Sequence, residues 1–280
     1  MTVALLDADI ICYQAAAVSE QGIDWGDGDG VYTHLDVKKA CGVADAIVDE
    51  WTKVAKGKRK LLIFGGTSEK HPSFRAELYP EYKANRKGAK KPQLHKDVKR
   101  YLLDNYKSMK VNGLEGDDVL GLLATGPQGK NYTIVSIDKD MLTLPARLVN
   151  PKTKEGQKPY LQHISVAQAD HTWMLQTLIG DSSDHYPGCP GIGDKKAAEV
   201  LPGAMALNSM WAIVLDTFDD QYAKPRWREK FTDTPSKMAF TMARLARILR
   251  DGDYRTDKDK VGSVRLWTPD RADDLWCVIQ

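Results

Sequence analysis

The chain has 280 residues, 42% of them apolar, with 40 Lys and Arg against 38 Asp and Glu, a formal charge of +2. That length admits one large domain or two small ones, and the apolar share supports an ordinary core, which excludes a disordered tail. No apolar run reaches the roughly 18 residues of a membrane helix, the four scattered cysteines lack metal-finger spacing, and the near-neutral total argues against a uniformly basic nucleic-acid binder.

In chain order, Val3–Asp7 predicts a buried strand, and the acids Asp7 and Asp9 in an apolar stretch without a basic flank predict no secretory signal. Residues 36–55 predict a helix, because Val43, Ile47, Trp51 and Val54 recur at helical spacing. Residues 60–66 predict a second strand, 94–109 a helix, 109–114 a short strand and 116–125 a helix with an acidic start. A strand is expected over 133–138, an edge strand over 148–151, and helices over 205–215 and 235–249, while the last thirty residues carry no assignable pattern. Strands alternating with helices predict an α/β fold with a mostly parallel sheet flanked by helices. The dispersed cysteines predict a reduced, cytoplasmic protein.

The neutral total is a cancellation. Residues 83–110 hold ten basic side chains against two acidic ones, a local +8 that leaves −6 for the rest. A solvated charged face is one reading of such a run. The neighbouring Tyr79 and Tyr82 and the breaks at Gly88 and Pro92 admit another, in which cations neutralise phosphates and rings stack on bases.

Four acidic groups fall at the ends of predicted elements: Asp7 with Asp9; Glu115, Asp117 and Asp118; Asp138 and Asp140; and Asp181 with Asp184. Singly, each has a plain explanation as a helix cap or a turn. Together they gain weight, because the carboxyl ends of the strands of an open α/β sheet line one crevice. Eight carboxylates gathered there (all but Asp9) would repel by roughly 1–4 kcal/mol per close pair, so they call for cations. An all-oxygen set suits Mg²⁺ or Mn²⁺, and two such ions support phosphodiester hydrolysis. The string Pro187–Ala197, with Gly188, Gly191 and Gly193 followed by Lys195 and Lys196, predicts a tight turn opening a helix, suited to the backbone of a duplex. An ordinary helix–turn–helix connection is the competing reading.

The strings LLDAD, FRAELYPEYKANRK, LEGDDVLG, IDKDM and GDSSDHYPGCPGIGDKKA, in this order, resemble the flap endonuclease and 5′–3′ exonuclease family, above all the phage replication and recombination exonucleases. The resemblance covers residues 3–201 and implies a PIN-like nuclease with a helical arch and a helix–three-turn–helix DNA clamp. It implies a nuclease domain over 1–203, with the basic arch at 67–110 and the clamp at 180–201, and a mainly helical region over 204–280. Asp7, Glu115, Asp117 and Asp118 match a first metal site and Asp138, Asp140, Asp181 and Asp184 a second. Lys83 and Arg86 match the arch cations that engage the scissile phosphate, Tyr82 a base-stacking ring, and Lys87, Lys90 and Lys91 further DNA contacts. Gly191 and Gly193, with Lys195 and Lys196, match the duplex hairpin, which in relatives often holds K⁺. Two Mg²⁺, replaceable by Mn²⁺, are implied as cofactors. The implied substrate is DNA with a 5′ end or flap, and RNA–DNA hybrid is a further candidate. The protein is expected to be a monomer without membrane attachment, in the host cytoplasm if phage-encoded.

Three positions depart from the family pattern. Many relatives carry an aspartate just after the second strand, where this chain has Gly65, Gly66, Thr67 and Ser68; water or Ser68 is the expected substitute. His185 stands where relatives often have Asn, and reads as a surface residue. Asp9 stands where relatives carry a neutral polar residue, and is left out of the ligand set. Two other classes compete: a haloacid-dehalogenase-like phosphatase using Asp7 and Asp9, and a non-catalytic DNA-binding protein. The first leaves the other carboxylates and the hairpin unexplained; the second gives no reason to gather acids beside a polyanion.

Overall fold

The chain runs β1 (Val3–Asp7), α1 (Ala8–Ser19), a hairpin of β2 (Glu20–Asp24) and β3 (Val31–Leu35), α2 (Val37–Val54), β4 (Arg59–Ile63), α3 (Phe74–Leu78), α4 (His95–Asn105) and β5 (Ser108–Met109). It continues through α5 (Gly116–Thr125), β6 (Tyr132–Val135), β7 (Arg147–Val149), β8 (Leu161–His163), α6 (Val166–Ile179) and α7 (Asp194–Val200). The remainder holds α8 (Leu207–Tyr222), α9 (Pro225–Arg228), α10 (Pro235–Ala246) and a small sheet of β9 (Tyr254–Thr256), β10 (Gly262–Arg265) and β11 (Trp276–Ile279). The computed structural model describes residues 2–24, 31–86, 88–152, 158–228, 233–257, 262–269 and 276–279. Lys87 lies outside the described residues.

β1 is central because its sequence is apolar on both faces: Ala4, Leu5 and Leu6 have no exposed surface, as a strand covered by helices on two sides requires. It pairs in parallel with β4 on one side and β6 on the other, within a sheet of order β5-β4-β1-β6-β7-β8. Only the β7–β8 pair is antiparallel, so residues 148–151, expected as an edge, lie inside the sheet and β8 forms the edge instead. α1, α2 and α4 cover one face around Ile11, Trp51 and Leu102, while α5 and the strand-bearing C-terminal segment cover the other around Leu120, Leu249 and Val264. A third core joins α6, α7, α8 and α10, where Trp173 meets Trp267 edge-on at 4.8 Å and donates from Nε1 to the Ala243 carbonyl at 2.8 Å.

Local signals place the ends. Asp7 and Asp36 cap α1 and α2 by accepting from the Ile10 and Lys39 amides, and Ser165 with Gln168 forms a capping box at α6. Within residues 67–110, expected as the basic arch, the described residues form the five-residue α3, a 3₁₀ turn over Ala84–Arg86 and the eleven-residue α4. Among the described residues no helix is long and apolar enough to cross a membrane.

Candidate active site

The sheet order reverses at β1: the chain first builds outward through β4 and β5, then adds β6 on the opposite side. Crevices form at such a point, beyond the carboxyl ends of the strands. Here Asp7 ends β1 and Asp138 follows β6, and both line an open cavity of about 670 Å³ with Glu115 and Asp117 from the start of α5. Lys83, Arg86, Lys91 and Lys99 line the same cavity. Acids and cations thus line the same cavity, the Arg86 side chain the more exposed at 54% and Glu115 shielded at 14%.

The electrostatics follow from crowding. Burial, opposed by the Ser136 hydroxyl and reinforced by the charges of Asp9 and Asp138, pushes the Asp7 carboxyl up to about 7. Burial, then Asp7 and Asp138, drive Asp117 well above the usual carboxylate range. Burial would also raise Glu115, but Lys83 and Arg75 outweigh it and hold that carboxyl at about 2. Asp140 is pushed up to about 7 by burial, then by Asp138 and Asp181. Asp181 is lowered, because hydrogen bonds from the Ser183 hydroxyl and amide overcome its burial.

Asp140, Asp181 and Asp184 stand just outside the cavity. Lys83 bridges the two groups, pairing with Glu115 and approaching Asp184 at 3.5 Å, while Arg86 pairs with Asp184 and Lys139 with Asp181 at 3.3 Å. Among the described residues no three acidic, His or Cys side chains are drawn together closely enough to cage an ion as they stand; ammonium and guanidinium groups lie against them instead. The residues nevertheless fit divalent metal. Their donors are all carboxylate oxygens, the buried Asp181 Oδ2 is met only by the ammonium of the exposed Lys139, and the protein's own cations already sit where positive charge is needed.

Asp118 departs from the expected ligand set. It is fully buried, and its two oxygens accept from Arg75 Nη1 and Nη2 at 2.8 and 2.7 Å, with the Leu249 amide at 3.2 Å. Adjacent residues of a helix point about 100° apart, so α5 aims Asp117 into the cavity and Asp118 into the core. Tyr82 is a second correction. It is 7% exposed, and its hydroxyl donates to Glu115 and Asp184, each at 3.0 Å, so it ties two carboxylates together and offers no face to a base.

Segments 79–86 and 181–187 clasp each other. Lys83 N–H donates to the Asp184 carbonyl at 2.8 Å, and the His185 ring meets the Glu81 carbonyl at 2.9 Å. Lys83 and His185 both adopt left-handed backbone, with φ of 56° and 59°. His tolerates that region better than most residues, so the backbone at position 185 suits it. The loop closes through Gly180 and Gly188, whose left-handed backbones pack so tightly that a Cβ on Gly188 would lie 2.3 Å from the Gly180 nitrogen.

Lys90 is exposed, and so are Gly191 and Gly193 of the turn before α7 and Lys195 and Lys196 of its first turn; Lys196 Nζ donates to the Gly191 carbonyl at 3.1 Å. Sequence reasoning missed Arg75 and Tyr13, and left Asp9 out of the site. Arg75 fixes Asp118 and also meets Glu115 at 2.9 Å. Tyr13, 53% exposed, and Asp9 both line the cavity from α1. Recognising α1 as a helix would have placed them, since residues 9 and 13 are four apart on one face.

The N-terminal resolvase-like domain of the 5′–3′ exonucleases matches residues 2–169, and their C-terminal SAM fold matches residues 168–269. The chain belongs to the 5′–3′ exonuclease family. Membership sets aside the phosphatase and the non-catalytic readings. The two family matches meet at 168–169, so most of α6, and α7 with the glycine turn, fall within the C-terminal match, together with the helices they pack on. The exodeoxyribonuclease of Enterobacteria phage T3 is 26% identical, over 95% of this chain and 92% of that one. The 5′–3′ exonuclease of Buchnera aphidicola is 31% identical, over 57% of this chain and 59% of that one, and the thermostable DNA polymerase I of Thermus caldophilus is 34% identical over only 17% of its length. The same fold occurs in the bacteriophage T5 flap endonuclease, solved with DNA and metal ions, at 16% identity and a TM-score of 0.58, covering 88% of this chain and 89% of that one.

Proposed function

We propose that this chain is a divalent-metal-dependent 5′–3′ exonuclease and flap endonuclease. It hydrolyses phosphodiesters at the 5′ ends of duplex, nicked or flapped DNA and leaves a 5′-phosphate and a 3′-hydroxyl. The observation that carries this reading is one open cavity lined both by Asp7, Glu115, Asp117 and Asp138 and by Lys83, Arg86 and Lys91. Its family membership and the metal- and DNA-bound T5 relative support it.

Asp7, Glu115, Asp117 and Asp138 would hold one ion, and Asp138, Asp140, Asp181 and Asp184 a second. Bound there, Mg²⁺ or Mn²⁺ would activate the attacking water and offset charge on the leaving oxygen. Lys83 and Arg86 leave Glu115 and Asp184 for the scissile phosphate, where they stabilise the charge of the transition state. Tyr13 offers the exposed ring beside the cavity that Tyr82 cannot. Exposed Lys90 and Lys91 take the displaced strand, while Gly191, Gly193, Lys195 and Lys196 take the duplex backbone. K⁺ at that hairpin competes with Lys196 for the Gly191 carbonyl. The chain acts as a monomer in the cytoplasm, and RNA in hybrids is a further substrate.

The test is digestion of 5′-labelled blunt, recessed, nicked, flapped and hybrid substrates with Mg²⁺, with EDTA, and by Asp138→Asn. Cleavage confined to the unsubstituted chain with Mg²⁺ is expected, and equal cleavage in all three conditions overturns the reading. Lys83→Ala should lower turnover by about two orders of magnitude while duplex binding largely persists; equal losses would make Lys83 a tether.

A further inference from the structure

Resting on that metal-dependent reading, we infer that Asp9 is a metal-anchoring carboxylate, reaching from α1 into the space that Gly65 leaves empty at the end of β4. After β4 the chain runs through Gly65, Gly66, Thr67 and Ser68 and so brings no acid of its own to the cavity there. A Cβ built on Gly65 would lie 3.0 Å from Asp9 Oδ2, and one on Gly116 would lie 3.6 Å from it. The two glycines form a cradle, and the Asp9 carboxylate fills the volume into which a side chain at position 65 would project.

The carboxylate is held at both oxygens. Gly65 N–H donates to Oδ2 at 2.6 Å and Lys99 Nζ to Oδ1 at 2.9 Å. The Gly65 amide, fixed in the backbone, sets the direction of the carboxylate, Lys99 is a counter-charge that a metal ion would displace, and each oxygen keeps a second lone pair. A mere tie between α1, β4 and α4 needs only a hydrogen-bonding group. Asn or Ser at position 9 would supply one without a further negative charge in a cavity already lined by Asp7, Glu115, Asp117 and Asp138. Like charges about 4 Å apart repel by roughly 1–4 kcal/mol; Lys99 offsets the Asp9 charge as the chain stands, and a divalent ion would take over that role. Neither water nor Ser68 is then needed to replace the acid missing after β4.

The experiment is Mn²⁺ binding without DNA, followed by calorimetry and by the paramagnetic resonance signal of the ion, on the full chain and three variants. Asp9→Asn should weaken one Mn²⁺ about tenfold or more, and Asp9→Asn with Gly65→Asp should recover most of that loss. Lys99→Ala, which removes the tie and keeps the carboxylate, should bind Mn²⁺ as tightly as the unsubstituted chain or more so. Unchanged affinity in Asp9→Asn, an equal loss in Lys99→Ala, or an exchanged chain that melts normally without regaining affinity overturns the inference. If the exchanged chain does not fold, the comparison of Asp9→Asn with Lys99→Ala decides alone. An unsubstituted chain that takes up no Mn²⁺ removes the metal-dependent reading itself, and the role of Asp9 with it.

Discussion

Replacing Arg75 with Met keeps most of the apolar stem and removes the charge. Arg75 is 3% exposed and Asp118 0%, so the substitution strands a carboxylate in the core. Arg75 also donates to the Leu245 carbonyl at 3.0 Å and the Arg247 carbonyl at 2.6 Å, and both lose that donor. Breaking a buried pair by deleting one partner costs about 3–5 kcal/mol, and unsatisfied carbonyls add to it. Against a typical total of about 5–15 kcal/mol, the loss is large. Urea unfolding followed by circular dichroism should show a midpoint lowered accordingly, at similar slope. Arg75→Met with Asp118→Leu removes both charges and should regain much of the loss, because apolar pairs replace buried ion pairs well. A loss under about 1 kcal/mol in the single variant, or a double variant no more stable than the single, would refute the claim that this pair holds an otherwise intolerable charge.

Tyr82→Phe keeps the ring and removes the hydroxyl that ties Glu115 to Asp184; bonds to charged groups are worth about 1.5–3 kcal/mol. Turnover on a 5′-flap substrate should fall by about ten- to a hundredfold with the fold retained, whereas full activity in Phe and loss in Ala would restore a stacking role. Gly188→Ala meets both a left-handed backbone and the Gly180 nitrogen, so thermal melting should register a loss of at least about 1–2 kcal/mol, with reduced activity as Asp181 shifts. At position 185, where φ is 59°, Asn should melt as the parent does, while Val should lose about 1–2 kcal/mol; equal melting of the two would remove the backbone explanation.

Sequence patterns located the elements whose signals are local. α5 begins and ends where its acidic start and apolar run indicate, β1 matches its expected bounds, and β4 and β6 start one residue early and end three residues short of expectation. α1 escaped because its Ala-rich stretch, buried against the sheet, α2 and α4, shows no clear polar face, and Asp7 to Asp9 read as a strand end. α2 was found through Val43, Ile47, Trp51 and Val54, of which only Trp51 belongs to its buried line of Ala40, Ala44, Val48 and Trp51. Small residues mark a close helix contact more faintly than large ones. Of the site, the strand-end acids Asp7 and Asp138 were legible because strand ends converge in such sheets. The partners of Tyr82 lie 33 and 102 residues away, and no local window contains them. Asp117 and Asp118 are indistinguishable by type, and only the rotation of a packed helix separates them.

The clasp and the Arg75 bonds have a consequence for dividing this molecule. Arg75 lies before the family boundary at 168–169, yet its two carbonyl acceptors lie 170 and 172 residues further on. Lys83 likewise finds its partners Glu115 and Asp184 on opposite sides of that line. Fragments cut at the boundary would each inherit half of a charge network, the first with a guanidinium short of acceptors, the second with Asp184 short of its lysine. Coexpressed, such halves have reason to recombine as a heterodimer, with nuclease activity returning only on reassembly, a ready basis for a split enzyme switched by bringing its parts together.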